Sequence, residues 1–407
     1  MTNTLTALVG PNWVQSAARV RQELARTAVA RDRAAGTPTF EIGLLKEAGL
    51  LGIFIPEEHG GGGADFSQAA AVVGEIARAD SSVAHILLYH YFGSIAGTRG
   101  ENGFLGPRRA QRIARENLFH GTVAQAAYPP LISADPTPGG FVLNGSKPFT
   151  SGAAVSDVLL AWVQFGTGSV LNGADVSGQL ATVHIEGGAA GVSFGDDWDN
   201  VGQRLTVSGT TTLTGVEIPV DAVIGYGYGV APAEPADHLD VLYMYAGFAA
   251  IFTGIARGAF DEAADYTRAR SRPWVETNYA SAQADPLVLE RFGQLWTLVQ
   301  SAEALTARAL AAVDEVRDRG AGLTWEQRAE AVTLINAART HAGEIAITIA
   351  SRLFEVTGAR STAAPEGLDR FWRNARTLTL HDPLHHKQTQ IGDYVLNGVA
   401  PAPGFYS

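Results

Sequence analysis

Between Asp237 and Arg272 the chain carries small residues at Gly247, Ala249, Ala250, Gly254, Ala256, Gly258 and Ala259. On a helix these let a neighbouring backbone come close, so the segment predicts one long helix built for tight helix contacts. It stops at Arg272-Pro273-Trp274, where proline removes a backbone donor. Two more alanine-rich stretches with helical spacing follow, Pro286–Arg319 and Trp325–Val356, and Gly358-Ala-Arg360 closes the second as a C-cap would. A last helix-like run containing Arg370, Arg373 and Arg376 breaks at His381-Asp382-Pro383. The most apolar window, Val241–Ile255, is too short and too rich in glycine and alanine for a membrane span.

The first hundred residues are also helical in pattern. Val14, Ala17, Val20, Leu24 and Ala28 predict an amphipathic helix over Val14–Arg33, and Glu41–Ala48 predicts a short second one. An extended apolar run from Leu50 then closes in Gly60-Gly-Gly-Gly63. A phosphate loop would need a following Lys-Ser/Thr, which is absent, so those glycines read as a structural turn. Phe66–Ala79 predicts a further helix, and Asp80-Ser-Ser N-caps Val83–Ala96. On that last helix His85 and Tyr89 share a face, with His90 turned about 100° away from Tyr89. Two polar rings on an apolar helix are either a reactive pair or a satisfied core histidine beside a tyrosine that reaches solvent; both readings stand at this point.

From about Phe119 the period changes. Val142–Phe149, Val158–Phe165, Leu180–Ile185 and Leu205–Leu213 read as strands with glycine turns between them, to about Ile224. The expected class is therefore α+β, mainly α. An N-terminal helical domain (1–118) precedes a middle antiparallel β domain (119–225) and a C-terminal four-helix bundle (226–407).

With 46% apolar and 17% charged residues among 407, the chain is built to bury a large core. A net charge of −11 argues against nucleic acid as the main partner. Cysteine is absent, which removes disulfides, thiolate metal sites and cysteine nucleophiles, and no metal-ligand set stands out. Met1–Gly10 lacks the basic start of a signal peptide, so a soluble cytoplasmic protein with no membrane partner is expected. Near the C-terminus, His381 is a candidate proton carrier and the three arginines can hold an anion. The alternative there is a surface turn after a salt-bridged helix.

Local motifs then carry a resemblance over nearly the whole chain. They are Ala30-Arg-Asp-Arg33, Asp80-Ser-Ser-Val-Ala-His85 with Tyr89-His90, Phe149-Thr-Ser-Gly152 before Ser156-Asp157, and Asp196-Asp-Trp198. Further along come Ser271-Arg-Pro-Trp274, Phe354-Glu-Val-Thr-Gly-Ala-Arg360, Asp369-Arg-Phe-Trp-Arg-Asn-Ala-Arg376, Leu380-His-Asp-Pro383 and Pro403-Gly-Phe405. Together they resemble the reduced-flavin-dependent monooxygenases of the acyl-CoA dehydrogenase superfamily, and within them the dibenzothiophene monooxygenase family. That family oxidises aromatic thioether sulfur to sulfoxide and sulfone.

The resemblance implies an acyl-CoA dehydrogenase-like fold, a homotetramer, and FMN between the β domain and the bundle. Reduced FMN would come from a separate NAD(P)H:flavin reductase and form a C4a-hydroperoxyflavin with O2. The substrate implied is a small aromatic organosulfur compound, or an electron-rich heteroaromatic such as indole. Catalytic roles fall on His85, Tyr89, Ser151 and His381. Cofactor contacts fall on Tyr89, Thr122, Phe149, Ser151, Trp198, Arg272 (from the adjacent subunit), Arg360 and Ser361, the last three at the phosphate. Gly121-Thr-Val-Ala-Gln125 and Ala126-Ala-Tyr128 depart from the family's Gly-Asn-Ala-Ser-Ser and Glu-Asn-Asn, which alters a flavin contact and a substrate wall. Two other readings stand beside this one: an FAD-dependent acyl-CoA dehydrogenase with Asp382 as its base, and a non-catalytic relative that binds a small aromatic.

Overall fold

The computed structural model describes residues 11–95, 106–124, 130–228, 234–237 and 239–404. The readings that fall on Met1–Gly10, Ala96, Gln125–Tyr128 and Phe405 lie outside the described residues.

Helices α1 (Pro11–Ala34), α2 (Thr39–Glu47), α3 (Phe66–Ala77), α4 (Ser81–Ile95) and α5 (Pro107–Glu116) come first. Strands β1 (His120–Val123), β2 (Ile132–Thr137), β3 (Gly140–Lys147), β4 (Val158–Phe165), β5 (Val170–Leu171), β6 (Ala174–Asp175), β7 (Leu180–Glu186), β8 (Val192–Phe194), β9 (Thr211–Pro219) and β10 (Val223–Tyr228) follow. The chain closes with α6 (Asp240–Arg270), α7 (Pro286–Arg319), α8 (Trp325–Arg352), α9 (Phe354–Thr357), α10 (Asp369–Leu378) and α11 (Leu384–Asn397).

The order of helices, sheet and helices is the expected one, but the sheet is mixed rather than wholly antiparallel. Its path is β10-β7-β4-β2-β3-β9-β8, and β1 and β2 both run parallel to β4, pairing with its first and second halves. A parallel pairing needs a crossover and leaves no short-turn signature between the partners, which is why strand-by-strand reading misses it.

Two local expectations change. Leu50–Ile55 is a series of buried turns rather than an extended run. The glycine loop folds back on it: Gly62 N–H donates to Gly52 O (2.9 Å) and Ala64 N–H to Ile53 O (2.8 Å). A Cβ on Gly61 would lie 2.1 Å from Ile55 O, so the loop is glycine-rich because two backbones meet there. Leu205–Leu213 is not one strand either. Arg204–Thr206 forms a 3-10 turn and the strand begins at Thr211. The hydroxyls of Thr206 and Ser208 bond to each other (2.7 Å), and that of Thr206 donates to Gln203 O (2.8 Å), so local bonds replace the ladder.

Helix α6 is the spine. It packs on α8, α7, α3 and α4, and its most apolar window is wholly buried inside the protein. The approach is closest at its glycines: a Cβ on Gly254 would meet Gly74 O at 2.4 Å, and one on Gly258 would meet Arg78 O at 2.1 Å. A buried ion pair, Arg257 Nε to Glu303 Oε1 at 2.8 Å, ties α6 to α7. Gly258→Ala therefore pushes backbone against backbone and is expected to cost about 1–3 kcal/mol. Gly293→Ala on the exposed face of α7, where an added Cβ meets nothing, is expected to be neutral or slightly stabilising. Thermal unfolding of the two variants side by side tests this.

Candidate active site between α4, the sheet and the bundle

Asp80 caps α4, its Oδ1 accepting from the N–H groups of Ser82 and Val83 at 3.1 Å each. This fixes the start of the helix one turn before His85. The His85 and Tyr89 rings stack along one face with centroids 5.0 Å apart, and both pack edge-on against Phe248 of α6, at 5.6 and 6.3 Å. His381, in the turn between α10 and α11, reaches the same place. Its ring lies 4.9 Å from Phe248, and its Nε2 is 2.9 Å from the Tyr89 hydroxyl. His90 faces the other way and is satisfied: its Nδ1 accepts from His120 N–H (3.1 Å) and its Nε2 meets Leu51 O (2.9 Å). The satisfied core histidine of this helix is therefore His90, and Tyr89 is buried against His381 rather than reaching solvent.

A continuous polar chain links this helix to the sheet. His85 Nδ1 is 3.2 Å from Gln203 Oε1, and the Gln203 carbonyl accepts from Trp198 Nε1 (2.9 Å) and from Thr206. Thr206 meets Ser208, and the Ser208 hydroxyl lies 2.7 Å from that of Ser151. Thr122 N–H and hydroxyl both donate to Ser151 O, at 3.2 and 3.4 Å. Phe149 stands beside this row with 61% of its surface exposed and meets Trp198 edge to face at 6.2 Å. Phe149, Gln203 and Val207 are non-glycine residues held at φ of +60°, +55° and +42°. Left-handed backbone of this kind persists only where surrounding contacts impose it, and it clusters at working sites.

Asp382 has a different place from the one a catalytic base needs. Arg339, fully buried, bonds its carboxylate and its backbone carbonyl; Tyr245 Oη donates to its Oδ2 at 3.0 Å, and Lys387 Nζ lies 3.5 Å from the same oxygen. Burial alone would raise its pKa. The neighbouring His381, Arg339 and Lys387 outweigh this and hold the carboxyl well below the usual range. A carboxylate so stabilised is a poor proton acceptor. Its other neighbour is His381 Nδ1, 3.6 Å from Oδ1. Of the arginines beside it, Arg373 pairs with Asp32 and Asp369, Arg370 pairs with Glu262, and Arg376 is exposed.

Arg272, Arg360 and Ser361 form a separate group. The Ser271 hydroxyl donates to Val356 O and Thr357 O at 3.2 Å each, which brings Arg272 beside the turn that carries Arg360 and Ser361. Both arginines are exposed, and Ser361 is buried with its hydroxyl 2.6 Å from that of Thr357. At 1.5 Å per residue, Arg270 at the end of α6 is roughly 33 Å along the helix from Phe248. Within one chain the two groups stand at opposite ends of the bundle.

Residues 14–96 match the family "Acyl-CoA dehydrogenase, N-terminal domain" and residues 246–386 match "Acyl-CoA dehydrogenase, C-terminal domain". Dibenzothiophene monooxygenase from Rhodococcus qingshengii is 37% identical over 393 residues, spanning 94% of this chain and 92% of that protein. The chain belongs to the dibenzothiophene monooxygenase family. Two solved structures share its fold throughout. Methanesulfinate monooxygenase MsuC from Pseudomonas fluorescens is 36% identical, with a TM-score of 0.88 over 98% of this chain and all of that one. TdsC from Paenibacillus sp. A11-2, in a complex with FMN and indole, is 33% identical, with a TM-score of 0.87 over 97% and 99% of the two chains.

The family motifs lead to His85, Tyr89 and His381 but not to Gln203, which lies in a stretch without secondary-structure pattern. Asn374 falls within the Phe-Trp-Arg-Asn run, yet nothing in the run says that its Oδ1 accepts from Gln203 N–H at 2.6 Å. A glutamine five residues before a Ser-Gly pair carries no signal of its own. An open cleft of about 220 Å³ adjoins the site beside Trp198, Thr150 and Arg204 and does not reach the histidines.

Burial depresses a whole set of imidazoles. His85 is lowered to about 3, with nearby His381 adding to the effect of burial, and His90 is lowered to about 4. His184 is lowered to about 3, and His120, whose ring nitrogens have no partner among the described residues, is pushed well down. Each is neutral in the fold, while an unfolded histidine titrates near 6.5. Below about pH 6.5 the unfolded chain therefore binds more protons, and stability falls as pH drops from there toward 4. Denaturation midpoints measured from pH 7.5 to 4.5 are expected to decline over that window, and His120→Phe is expected to flatten the decline.

Proposed function

We propose that this flavin-dependent monooxygenase takes reduced FMN from a separate NAD(P)H:flavin reductase and oxygenates the sulfur of a small aromatic thioether. The products are then the sulfoxide and sulfone, with an electron-rich heteroaromatic such as indole as the second substrate class. Reduced FMN bound there would supply O2 activation and the two electrons and protons by which one oxygen atom is added to sulfur and the other is released as water. The observation that carries the reading is the group of His85, Tyr89 and His381 around Phe248, with His85 Nε2 buried and unpartnered among the described residues.

The residues present fit a flavin. The exposed face of Phe149 beside Trp198 suits a flat ring, and the Ser151 and Thr122 hydroxyls suit its polar edge, with Ser151 as the contact of the ring N5. Tyr89, Phe92 and Phe248 supply an apolar, aromatic wall for a flat substrate and keep water from the reacting atoms. Asp382 favours the His381 ring proton on Nδ1, which leaves Nε2 to accept from the Tyr89 hydroxyl. That pair then holds a mobile proton at the Tyr89 oxygen. Arg272, with Arg360 and Ser361, would hold the phosphate, since guanidinium forks match its paired oxygens. Because that group is at the far end of the bundle, the phosphate of one site would be held by another copy of the chain, in keeping with a homotetramer.

An acyl-CoA dehydrogenase would need Asp382 as a free base, and its bonds to Arg339, Tyr245 and Lys387 speak against that. The non-catalytic alternative leaves the family's proton-carrying groups without a task.

The test is conversion of dibenzothiophene by the purified protein with FMN, NADH and a flavin reductase, with sulfoxide as the expected product. No oxygenated product from any thioether or indole tried would overturn the reading. Stoichiometric FAD bleached by an acyl-CoA would install the dehydrogenase instead. His381→Ala is expected to lower kcat by about 10²–10⁴-fold with little change in FMN affinity. Arg272→Ala is expected to weaken FMN binding by about ten- to a hundredfold, read by fluorescence titration.

A further inference from the structure

We propose that Gln203, held by Asn374, is the positioning residue that sets the tautomer of His85: it keeps the ring proton on Nδ1 and leaves Nε2 as a bare hydrogen-bond acceptor. The inference rests on the reading above only for what that acceptor faces.

Gln203 Nε2 lies 3.2 Å from Asn374 O and 3.2 Å from Ser81 Oγ. A carbonyl oxygen can only accept, so the end of the amide facing Asn374 O must be the NH2 group. The other end, Oε1, can only accept as well, and it faces His85 Nδ1 at 3.2 Å. The proton between them must therefore belong to Nδ1. A neutral imidazole carries one ring proton, so Nε2 has none.

The glutamine is not free to turn over. Its backbone N–H donates to Asn374 Oδ1 at 2.6 Å, its carbonyl accepts from Trp198 and Thr206, and it is 1% exposed at a left-handed φ of +55°. Both main-chain groups and both ends of the amide are thus engaged, three of them by bonds that cross to α10 or α4. His85 Nε2, buried and without a partner among the described residues, is the one polar atom of this arrangement left to receive a donor. Depression of the His85 pKa to about 3, mainly by burial, agrees with a neutral ring.

A division of labour follows. His85 accepts a hydrogen bond from whatever O–H or N–H comes against its Nε2, and the Tyr89–His381 pair is left as the local source of a proton. The titratable groups facing His85 are Tyr89 from its own helix and His381 from the turn after α10. Gln203 and Phe248 also meet the ring and do not titrate.

Neutron diffraction from deuterium-exchanged crystals of the wild-type protein reads the tautomer without turnover. Deuterium on His85 Nδ1 alone is expected. Deuterium on Nε2, alone or with Nδ1, overturns the proposal, whatever the enzyme is found to oxidise.

The second arm uses Gln203→Glu and Gln203→Met. A carboxylate opposite Nδ1 favours imidazolium, so Gln203→Glu is expected to move the acid limb of the kcat profile up by about one pH unit or more. Gln203→Met removes the acceptor and is expected to lower kcat roughly tenfold without moving the limb. Both should bind FMN within about threefold of wild type. Wild-type pH profiles and rates in both variants would overturn the positioning role. Loss of oxygenation from every substrate in the wild type would instead end the functional reading and leave the diffraction result standing.

Discussion

Close backbone approach along α6 is the constraint on which the other arrangements depend. The carbonyls of Gly74 and Arg78 at the end of α3 lie where side chains would be, at Gly254 and Gly258. Because α3 runs into the Asp80 cap, its seat on α6 also decides where α4 begins and how it is turned. The angular position of His85 and Tyr89 against Phe248 is inherited from that contact. A helix one residue out of phase would present Leu88 or His90 to the same space.

The candidate site is a junction rather than a pocket within one layer. Helix α4 brings His85 and Tyr89, the sheet side brings Ser151 and Thr122, and the turn after α10 brings His381. Three layers hold register across such a junction only if polar bonds cross it, since apolar contacts alone allow sliding. The chain from His85 through Gln203, Thr206 and Ser208 to Ser151 supplies those bonds. Gln203 to Asn374 adds the link to the bundle. Left-handed backbone at Phe149, Gln203 and Val207 is the conformational cost of bringing the links together.

Much of this was legible from residue patterns because it is local. The i, i+4 spacing of His85 and Tyr89, the break at Pro383 and the small-residue face of α6 are properties of short windows. The parallel pairings of β1 and β2 with β4 are not, and the sheet was accordingly expected to be antiparallel. Asp382 is the instructive case. As a residue it suited a base, and only its partners decide otherwise, with Arg339 43 residues away and Tyr245 137 residues away. Gln203 was invisible for the same reason: its significance is a bond across 118 residues to His85 and another across 171 to Asn374. The glycines at 60–63 are legible as a turn because a phosphate loop needs a following Lys-Ser/Thr, which the chain lacks there.

The distance between the two ends of α6 has a consequence for cofactor binding under the proposed function. On the proposed arrangement the ring and the phosphate of one cofactor are gripped by different copies of the chain. Cofactor affinity then ceases to be a property of a single polypeptide and becomes coupled to self-association, each strengthening the other by mass action. Dilution would loosen flavin and subunits together, and saturating flavin would hold the assembly at concentrations where empty chains separate. On that arrangement the long spine that orders the interior would also make company a condition of occupancy.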